Sequence, residues 1–241
     1  MLNDKIKISI IIPAYNEKTT LAAIIRRVQG APLPYPKEIL IVNDGSIDGT
    51  DDLVRKDILP RFDNIKYKEL KHNRGKGWAV REALKDVTGD IVIIQDADLE
   101  YYPEDYAQLI GPIIAQESQV VYGSRILGPN SADTAHPIFL IGGKTLTWIF
   151  NVLYQTKLTD LSTCYKVFRK EVLDKVPLSC VGFEFCAEVT SRLIRMGYTI
   201  QEVPVRYSPR TIQEGKKIRP VHFFLAVWTI MKYRMSSRLI R

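Results

Sequence analysis

Short apolar runs rich in Ile and Val alternate, along the first half of the chain, with segments whose apolar residues recur at helical spacing. This pattern predicts parallel strands joined by crossover helices. The expected strands lie at residues 6–12, 38–42, 65–70, 91–95 and 119–122. The expected helices lie at residues 20–29, 50–59, 78–86 and 103–114. The first half is therefore predicted to form an α/β layer built on one sheet.

The alternation ends after Gly123. The second half predicts a helix at 145–154, short extended pieces, a helix at 183–196, a strand at 199–206 and a closing amphipathic helix at 221–238. No linker rich in Pro, Gly or Ser divides the 241 residues, and there is no internal repeat. We therefore expect one domain whose second part is less regular than its first.

The composition, with 46% hydrophobic and 25% charged residues, is ordinary for a folded globular protein. The cysteines at 164, 180 and 186 form no C-x-x-C pair, which argues against a disulfide framework or a zinc site and favours a reducing, cytosolic setting. No basic leader precedes a long apolar segment, and the longest apolar runs fall short of the ~20 residues that cross a bilayer. We therefore expect neither a secretory signal nor a membrane-spanning helix.

The chain carries 34 Lys and Arg against 27 Asp and Glu, a net charge of +7. Such an excess indicates a phosphorylated or polyanionic partner, or an anionic membrane surface, although it also serves solubility alone. A nucleic-acid-binding module would account for the charge. However, the acidic residues at the predicted strand ends would repel phosphates in the absence of a metal ion, so we expect no nucleic-acid partner.

The ends of three predicted strands carry acidic side chains. The first strand runs into Glu17, the second into Asp44, and the fourth into Asp96, Asp98 and Glu100. Because parallel strands end at one edge of the sheet, these side chains are expected to meet there, where open α/β sheets bind ligands. Carboxylates at such an edge suit Mg²⁺ or Mn²⁺ bound together with a substrate phosphate. Ordinary turn chemistry is the alternative explanation for each segment taken alone.

Each carboxylate also has a candidate partner on a nucleotide. Asp44 is suited to accept the ring N–H groups of uracil or guanine. Glu17 or Asp96 is suited to a ribose hydroxyl, and Asp98 to a metal ion on the diphosphate. These strand ends thus predict a site for a metal-bound nucleotide.

Four segments together resemble the inverting family 2 glycosyltransferases of the GT-A fold: Pro13-Ala14-Tyr15-Asn16-Glu17, Asn43-Asp44-Gly45-Ser46, Gly75-Lys76-Gly77 and Asp96-Ala97-Asp98. Three later segments are similar to the polyprenol-phosphate sugar transferases of the dolichol-phosphate mannosyltransferase type: Gly123-Ser124-Arg125, Thr159-Asp160-Leu161-Ser162-Thr163-Cys164-Tyr165-Lys166 and Gly215-Lys216-Lys217-Ile218. The resemblance covers nearly the whole chain.

The resemblance implies a single GT-A domain over residues 1–241: a Rossmann-like, mostly parallel sheet flanked by helices, with an irregular acceptor-binding C-terminal part. Residues 1–125 would bind the nucleotide sugar and residues 126–241 the acceptor. The residues implied to contact the nucleotide are Pro13, Tyr15, Glu17, Asp44, Lys76 and Asp96. Asp98 would ligate the metal ion and act in catalysis, and Glu100 stands where relatives often carry a glutamine ligand.

The basic residues of the second half are candidates for holding an acceptor phosphate. They are Arg125, Lys144, Arg210, Lys216 and Lys217. A guanidinium binds phosphate through a bidentate fork and a lysine as a point charge. A solvated basic face is the alternative for each lysine. Arg125 stands apart because it directly follows a predicted strand, and the resemblance also implies a phosphate contact and a catalytic role for it.

The resemblance implies inverting transfer of a hexose from a nucleoside diphosphate sugar, of the GDP-mannose or UDP-glucose type, to a polyprenyl phosphate. The alternative is transfer to a glycan hydroxyl in cell-surface polysaccharide synthesis, for which Glu184 or Glu188 would serve as base. A nucleotidyltransferase is a further rival, but it would be expected to carry a Gly-rich phosphate loop with a nearby Arg where this chain has Pro13 to Glu17.

The predicted closing helix mixes Phe223, Phe224 and Trp228 with Lys232 and Arg234. Such a basic amphipathic segment lies in a membrane interface or packs its apolar face on the domain. We therefore expect either peripheral binding at the cytoplasmic face of an anionic membrane or a helix that completes the core. Whether a separate membrane protein joins the unit is left open by the sequence.

Overall fold

A computed structural model describes residues 6–129, 137–210, 217 and 219–236 of the chain. In the first half the strands are β1 (Ile8–Ala14), β2 (Lys37–Asn43), β3 (Ile65–Glu69), β4 (Ile91–Ile94) and β5 (Val120–Ser124). The helices are α1 (Leu21–Gly30), α2 (Thr50–Leu53), α3 (Lys76–Leu84) and α4 (Tyr106–Ile114). Every element predicted for this half is present, with ends shifted by a few residues.

One helix of the first half differs from its prediction. The segment expected to be a single helix at 50–59 is α-helical only over Thr50–Leu53, continues as a π-helix over Val54–Ile58 and ends in a 3₁₀ turn over Leu59–Arg61. Pro60 lies in that last turn, and its missing N–H cannot continue an α-helical ladder. A 3₁₀ turn over Pro103–Asp105 similarly precedes α4.

The second half supplies β6 (Lys166–Arg169), β7 (Gln201–Pro204), α5 (Pro137–Tyr154), α6 (Lys170–Leu173), α7 (Phe185–Arg195) and α8 (Pro220–Met235). The helix predicted at 145–154 begins earlier, at Pro137. Strand β6 was not predicted as a strand, because its four residues carry no alternation long enough to stand out from the surrounding sequence.

The seven strands form one sheet in the order β3-β2-β1-β4-β6-β5-β7. All neighbouring pairs are parallel except those of β6, which is antiparallel to both β4 and β5. The mostly parallel sheet predicted from the sequence is thus confirmed. Strand β6 of the second half lies between β4 and β5 of the first half, so that both halves of the chain share one sheet.

Two apolar clusters hold the fold together. The larger one is centred on β1, β2 and β4, where Ile10, Ile12 and Ile93 are fully buried, as expected for parallel strands covered on both faces. The smaller cluster joins α5, α7 and α8 around Phe150, Leu161 and Ile230.

In the part of the chain that the structure describes, no helix is both long and apolar enough to cross a bilayer.

Glu38 is a buried carboxylate that ties three elements together at the amino end of the sheet. It accepts hydrogen bonds from the Ser9 hydroxyl (2.5 Å), the Thr88 N–H (2.7 Å) and the Lys7 ammonium (2.9 Å). Lys66 also lies 3.0 Å from it. Burial alone would raise the pKa of Glu38, but these donors outweigh burial and hold the pKa well below its usual range.

Replacing Glu38 with glutamine is expected to destabilise the fold, by about 3 kcal/mol, because the buried donors around it lose a charged acceptor. A depressed carboxylate pKa gives stability that is complete above the unfolded pKa of roughly 4.3 and is lost as pH falls toward the folded pKa. The free energy of unfolding of Glu38→Gln, measured in urea between pH 7 and pH 3, should therefore depend less on pH than that of the wild type.

The control is Glu69→Gln, because Glu69 pairs with Arg55 at the surface and its side chain is 47% exposed. That change should cost less than about 1 kcal/mol. Equal losses in the two variants, or an unchanged acid dependence in Glu38→Gln, would contradict the account of Glu38.

Candidate active site

The acidic residues predicted to meet at one sheet edge do so because of the strand register. Ala14 lies opposite Asn43 in β1 and β2, and Ile11 lies opposite Ile94 in β1 and β4. All three parallel strands therefore end at the same edge, and the chain turns sharply after each of them. These turns place residues in the left-handed region: Asn16 at φ 51°, Gly45 at φ 70° and Leu99 at φ 64°.

Asp44 is buried and holds the loop that leads into α3. Its two carboxylate oxygens accept the N–H groups of Arg74 (3.0 Å) and Gly75 (2.6 Å). Burial raises the pKa of Asp44 more than these amides lower it. A Cβ on Gly45 would lie 2.7 Å from the Asn73 nitrogen, so only glycine lets the loop approach this turn. Asp44, which is predicted to contact the nucleobase, is thus already held in position by two backbone amides.

Lys76 forms an ion pair with Asp96, with 2.6 Å between Nζ and Oδ1. Burial opposes the charge of Asp96, but the Lys76 ammonium outweighs it and lowers the pKa of that carboxyl. The following amides of α3 point at protein rather than at open solvent. Gly77 N–H donates to the Gly182 carbonyl (3.2 Å) and Trp78 N–H to the Val181 carbonyl (2.9 Å). The predicted nucleotide contact of Lys76 stays a prediction; its observed partner is Asp96.

Asp98 lies in a buried and strongly acidic part of the edge. Burial and the charges of Asp96 and Glu100 raise the pKa of Asp98 to about 7, and the nearby Arg210 opposes this rise. The closest cationic atom is Arg210 Nη2, 3.3 Å from Oδ2. A carboxylate repelled in this way gains from a cation placed beside it.

Glu100, the second predicted metal ligand, anchors the segment that follows β7. Its carboxylate accepts the Tyr207 hydroxyl (2.8 Å) and the Arg210 backbone N–H (2.8 Å). No group of three or more His, Cys, Asp or Glu side chains within the described ranges is arranged as a metal-binding cluster. The donors nevertheless fit Mg²⁺ or Mn²⁺, because such ions take one or two carboxylates and complete their shell with water and substrate phosphate. Asp98 is the residue that fits best.

Arg210 and Lys217, both predicted to hold the acceptor phosphate, contact Glu17 at the acidic edge of the sheet. The Arg210 guanidinium contacts both oxygens of Glu17 at 3.3 Å, and Lys217 Nζ lies 2.6 Å from Glu17 Oε1. Lys217 also donates to the carbonyl of Tyr15. These cations neutralise Glu17, which is only 5% exposed. Pro13 is in β1 and therefore lies beside this edge as predicted.

Arg125 is held rigidly just after β5. Its Nε and Nη2 donate to the two oxygens of Asp160, at 2.6 and 2.7 Å, and its Cζ lies 5.0 Å from the centre of the Tyr207 ring. Burial opposes the charge of Arg125, but Asp160 outweighs burial and raises its pKa further. Because Tyr207 also bonds Glu100, the guanidinium lies next to the acidic edge.

Of the remaining predicted acceptor residues, Lys144 does not join this group. Lys144 is exposed on α5 and forms no ion pair with any residue that the structure describes. Lys216 lies outside the described residues.

Glu184 and Glu188, the candidate bases for transfer to a glycan hydroxyl, both form hydrogen bonds within the protein. Glu188 is fully buried and accepts hydrogen bonds from the Ser179 amide and hydroxyl, the Cys180 amide, Arg192 and Tyr233. Glu184 accepts the amides of Val181 (3.2 Å) and Gly182 (3.0 Å). Glu188 therefore joins α7 to α8 and to the 179–180 turn, and it has no exposed surface through which to take a substrate proton.

Sequence reasoning assigned no role to Asp160, Glu202 or Tyr207. Asp160 lies in a segment quoted above for its resemblance to known transferases, which was its one signal. No sequence pattern marks Glu202 or Tyr207, because their partners are distant in the chain. Glu202, for example, accepts the amides of Thr159 and Asp160.

The family pattern of Glycosyl transferase family 2 matches residues 9–177, well over half of the chain. The chain therefore belongs to this family and is a glycosyltransferase. It is 29% identical over 237 residues to polyprenol monophosphomannose synthase of Mycolicibacterium smegmatis, a match that covers 92% of this chain and 86% of that protein.

Two further relatives are 28% identical to this chain. Dolichol-phosphate mannosyltransferase of Pyrococcus furiosus matches 94% of the chain, which spans 64% of that protein. UDP-N-acetylglucosamine–dolichyl-phosphate N-acetylglucosaminyltransferase of Methanococcus voltae matches 88% of the chain and 90% of its own length.

Solved structures show the same fold. Glucosyl-3-phosphoglycerate synthase of Mycobacterium tuberculosis, in complex with Mn²⁺, UDP and phosphoglyceric acid, superimposes with a TM-score of 0.70 at 18% identity. The match covers 96% of this chain and 79% of that chain. A second complex of that synthase holds Mg²⁺ and UDP and gives a TM-score of 0.66 at 18% identity, over 95% of this chain and 79% of that chain. The predicted GT-A fold is thereby confirmed.

Proposed function

We propose that the protein transfers a hexose from a nucleoside diphosphate sugar to a polyprenyl phosphate, with inversion at the anomeric carbon. One observation carries the proposal: Tyr207 contacts both Arg125 and Glu100, so a rigid guanidinium lies beside the acidic edge of the sheet. A donor diphosphate and an acceptor phosphate would then meet between them. The three relatives are all named for polyprenol or dolichol phosphate substrates or products, which supports the same class of acceptor.

The donor half of this proposal assigns the nucleotide to the turns after β1, β2 and β4. Asp44 would accept a base N–H, and Glu17 or Asp96 a ribose hydroxyl. Asp98 would hold Mg²⁺ or Mn²⁺ with the diphosphate. When bound, the ion supplies positive charge that stabilises the leaving diphosphate.

The acceptor half assigns the phosphate to Arg125. The Asp160 pair uses Nε and Nη2, so the guanidinium keeps N–H groups on its Nη1 side for a second anion. A phosphate acceptor is already an anion near neutral pH, and its attack requires orientation more than a strong base. The structural engagement of Glu188 supports this choice over a glycan hydroxyl, which would need a base to take its proton.

The proposal extends to a membrane surface. Ile141, Trp148 and Val152 are exposed along one face of α5, and α8 exposes a second apolar row. That row consists of Phe224, Trp228, Met231 and Met235. The two helices pack together, with the Tyr154 hydroxyl donating to the Ile230 carbonyl at 2.9 Å.

Charge on the same two helices favours an anionic membrane. Neither α5 nor α8 contains an acidic residue, and their charged residues are Lys144, Lys232 and Arg234. Apolar side chains in the interface and basic ones near anionic headgroups together give peripheral binding. The three cysteines, all unpaired, support the cytoplasmic side. A separate membrane protein as a partner stays a prediction.

Replacing Asp98 with asparagine is expected to remove most turnover while the fold remains, because the metal ion loses its charged ligand. Activity of the wild type should be abolished by EDTA and restored by Mn²⁺. Donor binding, measured by calorimetry with UDP or GDP and Mn²⁺, should weaken in Asp98→Asn. Full activity in EDTA or in the variant would contradict the metal assignment.

The acceptor class is tested by comparing a short polyprenyl phosphate with the matching alcohol. The wild type should use only the phosphate, and Arg125→Ala should lower kcat/KM for it roughly ten- to a hundredfold, because a charge-assisted hydrogen bond is lost. Donor affinity should change far less. Equal use of alcohol and phosphate by the wild type would reject the phosphate-acceptor mechanism.

The membrane surface is tested by replacing Trp148 and Trp228 with serine. Both are more than 60% exposed, so the folded core should be unaffected. Co-sedimentation with anionic vesicles should fall at least tenfold, since each large apolar side chain contributes about 1.5–3 kcal/mol when fully buried and about 1.4 kcal/mol corresponds to a tenfold change in affinity. The control is Ile47→Ser, which removes an exposed apolar side chain elsewhere. Undiminished binding, or binding independent of lipid charge and salt, would contradict the proposal.

A further inference from the structure

Glu202, on the edge strand β7, bonds two consecutive amides of a distant turn. Its carboxylate accepts the N–H of Thr159 (2.7 Å) and the N–H of Asp160 (2.9 Å), one on each oxygen. A carboxylate shared between adjacent amides fixes both peptide planes, and charge-assisted hydrogen bonds of this kind are stronger than neutral ones. The direction of the Asp160 backbone is therefore set by β7.

Asp160 in turn orients the Arg125 guanidinium. It is 4% exposed, and its oxygens accept Nε and Nη2 of the guanidinium as well as the Arg125 backbone N–H (3.1 Å). Because the pair is bidentate, the plane of the guanidinium follows the plane of the carboxylate. A tilt of the Asp160 backbone would redirect the N–H groups left for a ligand.

The same turn is supported from two further directions. The Ser124 and Thr159 hydroxyls lie 2.6 Å apart, and the buried Lys166 donates to the Leu161 carbonyl at 2.9 Å while its ammonium lies 3.7 Å from the Tyr122 ring centre. These contacts hold the turn in place without touching the two amides. Glu202 is thus the side chain that orients the peptide groups on which the Asp160–Arg125 pair depends.

We propose that Glu202 is a positioning residue for the acceptor phosphate. It orients the 159–160 amides so that Asp160 aims the Arg125 guanidinium at the phosphate. This inference rests on the proposed function. It predicts that loss of the Glu202 charge weakens acceptor use while donor binding is retained.

The first test is Glu202→Gln. A glutamine has one oxygen to accept an amide, and its NH₂ group faces the other amide as a second donor. The KM for a short polyprenyl phosphate should rise roughly tenfold, with kcat at saturating acceptor within about twofold of wild type. The affinity for UDP or GDP with Mn²⁺ should be unchanged. Glu69→Gln, on the opposite edge strand, is the control and should leave all of these values as in the wild type.

A double-mutant cycle shows whether Glu202 acts through Arg125. In the Arg125→Ala background, Glu202→Gln should change the acceptor KM by less than about twofold, because the group that it positions is absent. Multiplicative effects of the two changes would overturn the proposal. So would an acceptor KM like that of the wild type in Glu202→Gln, or a loss of donor affinity equal to the loss of acceptor affinity.

Glu202→Asp is the second variant, with folding of each variant confirmed by circular dichroism. It keeps the charge with a shorter reach and should give a smaller rise in acceptor KM in the same direction. If Glu202→Gln does not fold, a wild-type acceptor KM in Glu202→Asp overturns the proposal. A wild type that uses the alcohol as well as the phosphate instead rejects the proposed function, whatever the Glu202 variants do.

Discussion

Buried negative charge at the carboxyl edge of the sheet is the constraint on which the rest of the structure depends. Glu17, Asp96, Asp98 and Glu100 lie there with little exposure, and a buried carboxylate is costly unless it is paired or hydrogen-bonded. The cations that pair with them come from elsewhere in the chain: Lys76 from the start of α3, and Arg210 and Lys217 from the segment after β7. Lys76 of the first half and Arg210 and Lys217 of the second half thus together compensate the buried charge of the edge.

The pairing leaves specific groups ready for a ligand. Burial, together with the charges of Asp96 and Glu100, raises the pKa of Asp98, so an added cation would stabilise its charged form as well as bind. Among the described side chains, the Arg210 Nε is buried without a hydrogen-bond partner. A buried donor of this kind is costly, and a phosphate oxygen would satisfy it. A metal-bound diphosphate, as the proposed function requires, would supply both a cation for Asp98 and an anion for Arg210.

One buried carboxylate outside the acidic edge, Glu188, has a structural task that its sequence position did not reveal. Glu188 joins α7, α8 and the turn at 179–180, whose neighbours Val181 and Gly182 accept the first amides of α3. Gly75 and Gly77 allow that contact, since a Cβ on either would lie within 3 Å of a backbone oxygen. Helix α8, which carries part of the exposed apolar surface, is therefore connected to the start of α3 through the Tyr233–Glu188 hydrogen bond and the 179–182 backbone. Lys76, which neutralises Asp96, lies at that start.

The sequence by itself determined the strands of the first half, the mostly parallel sheet and the gathering of Glu17, Asp44, Asp96 and Asp98 at one edge. These features follow from local patterns, because Ile- and Val-rich runs form buried strands and parallel strands end on the same side. Tertiary structure alone decided strand β6, the Lys76–Asp96 pair, the role of Glu100 as an anchor and the Glu202–Asp160–Arg125 series. Each of these joins residues that are distant in the chain, up to 110 positions apart for Glu100 and Arg210. Charge pairing of that range depends on which side chains the completed fold brings within a few ångströms, and no local pattern records it.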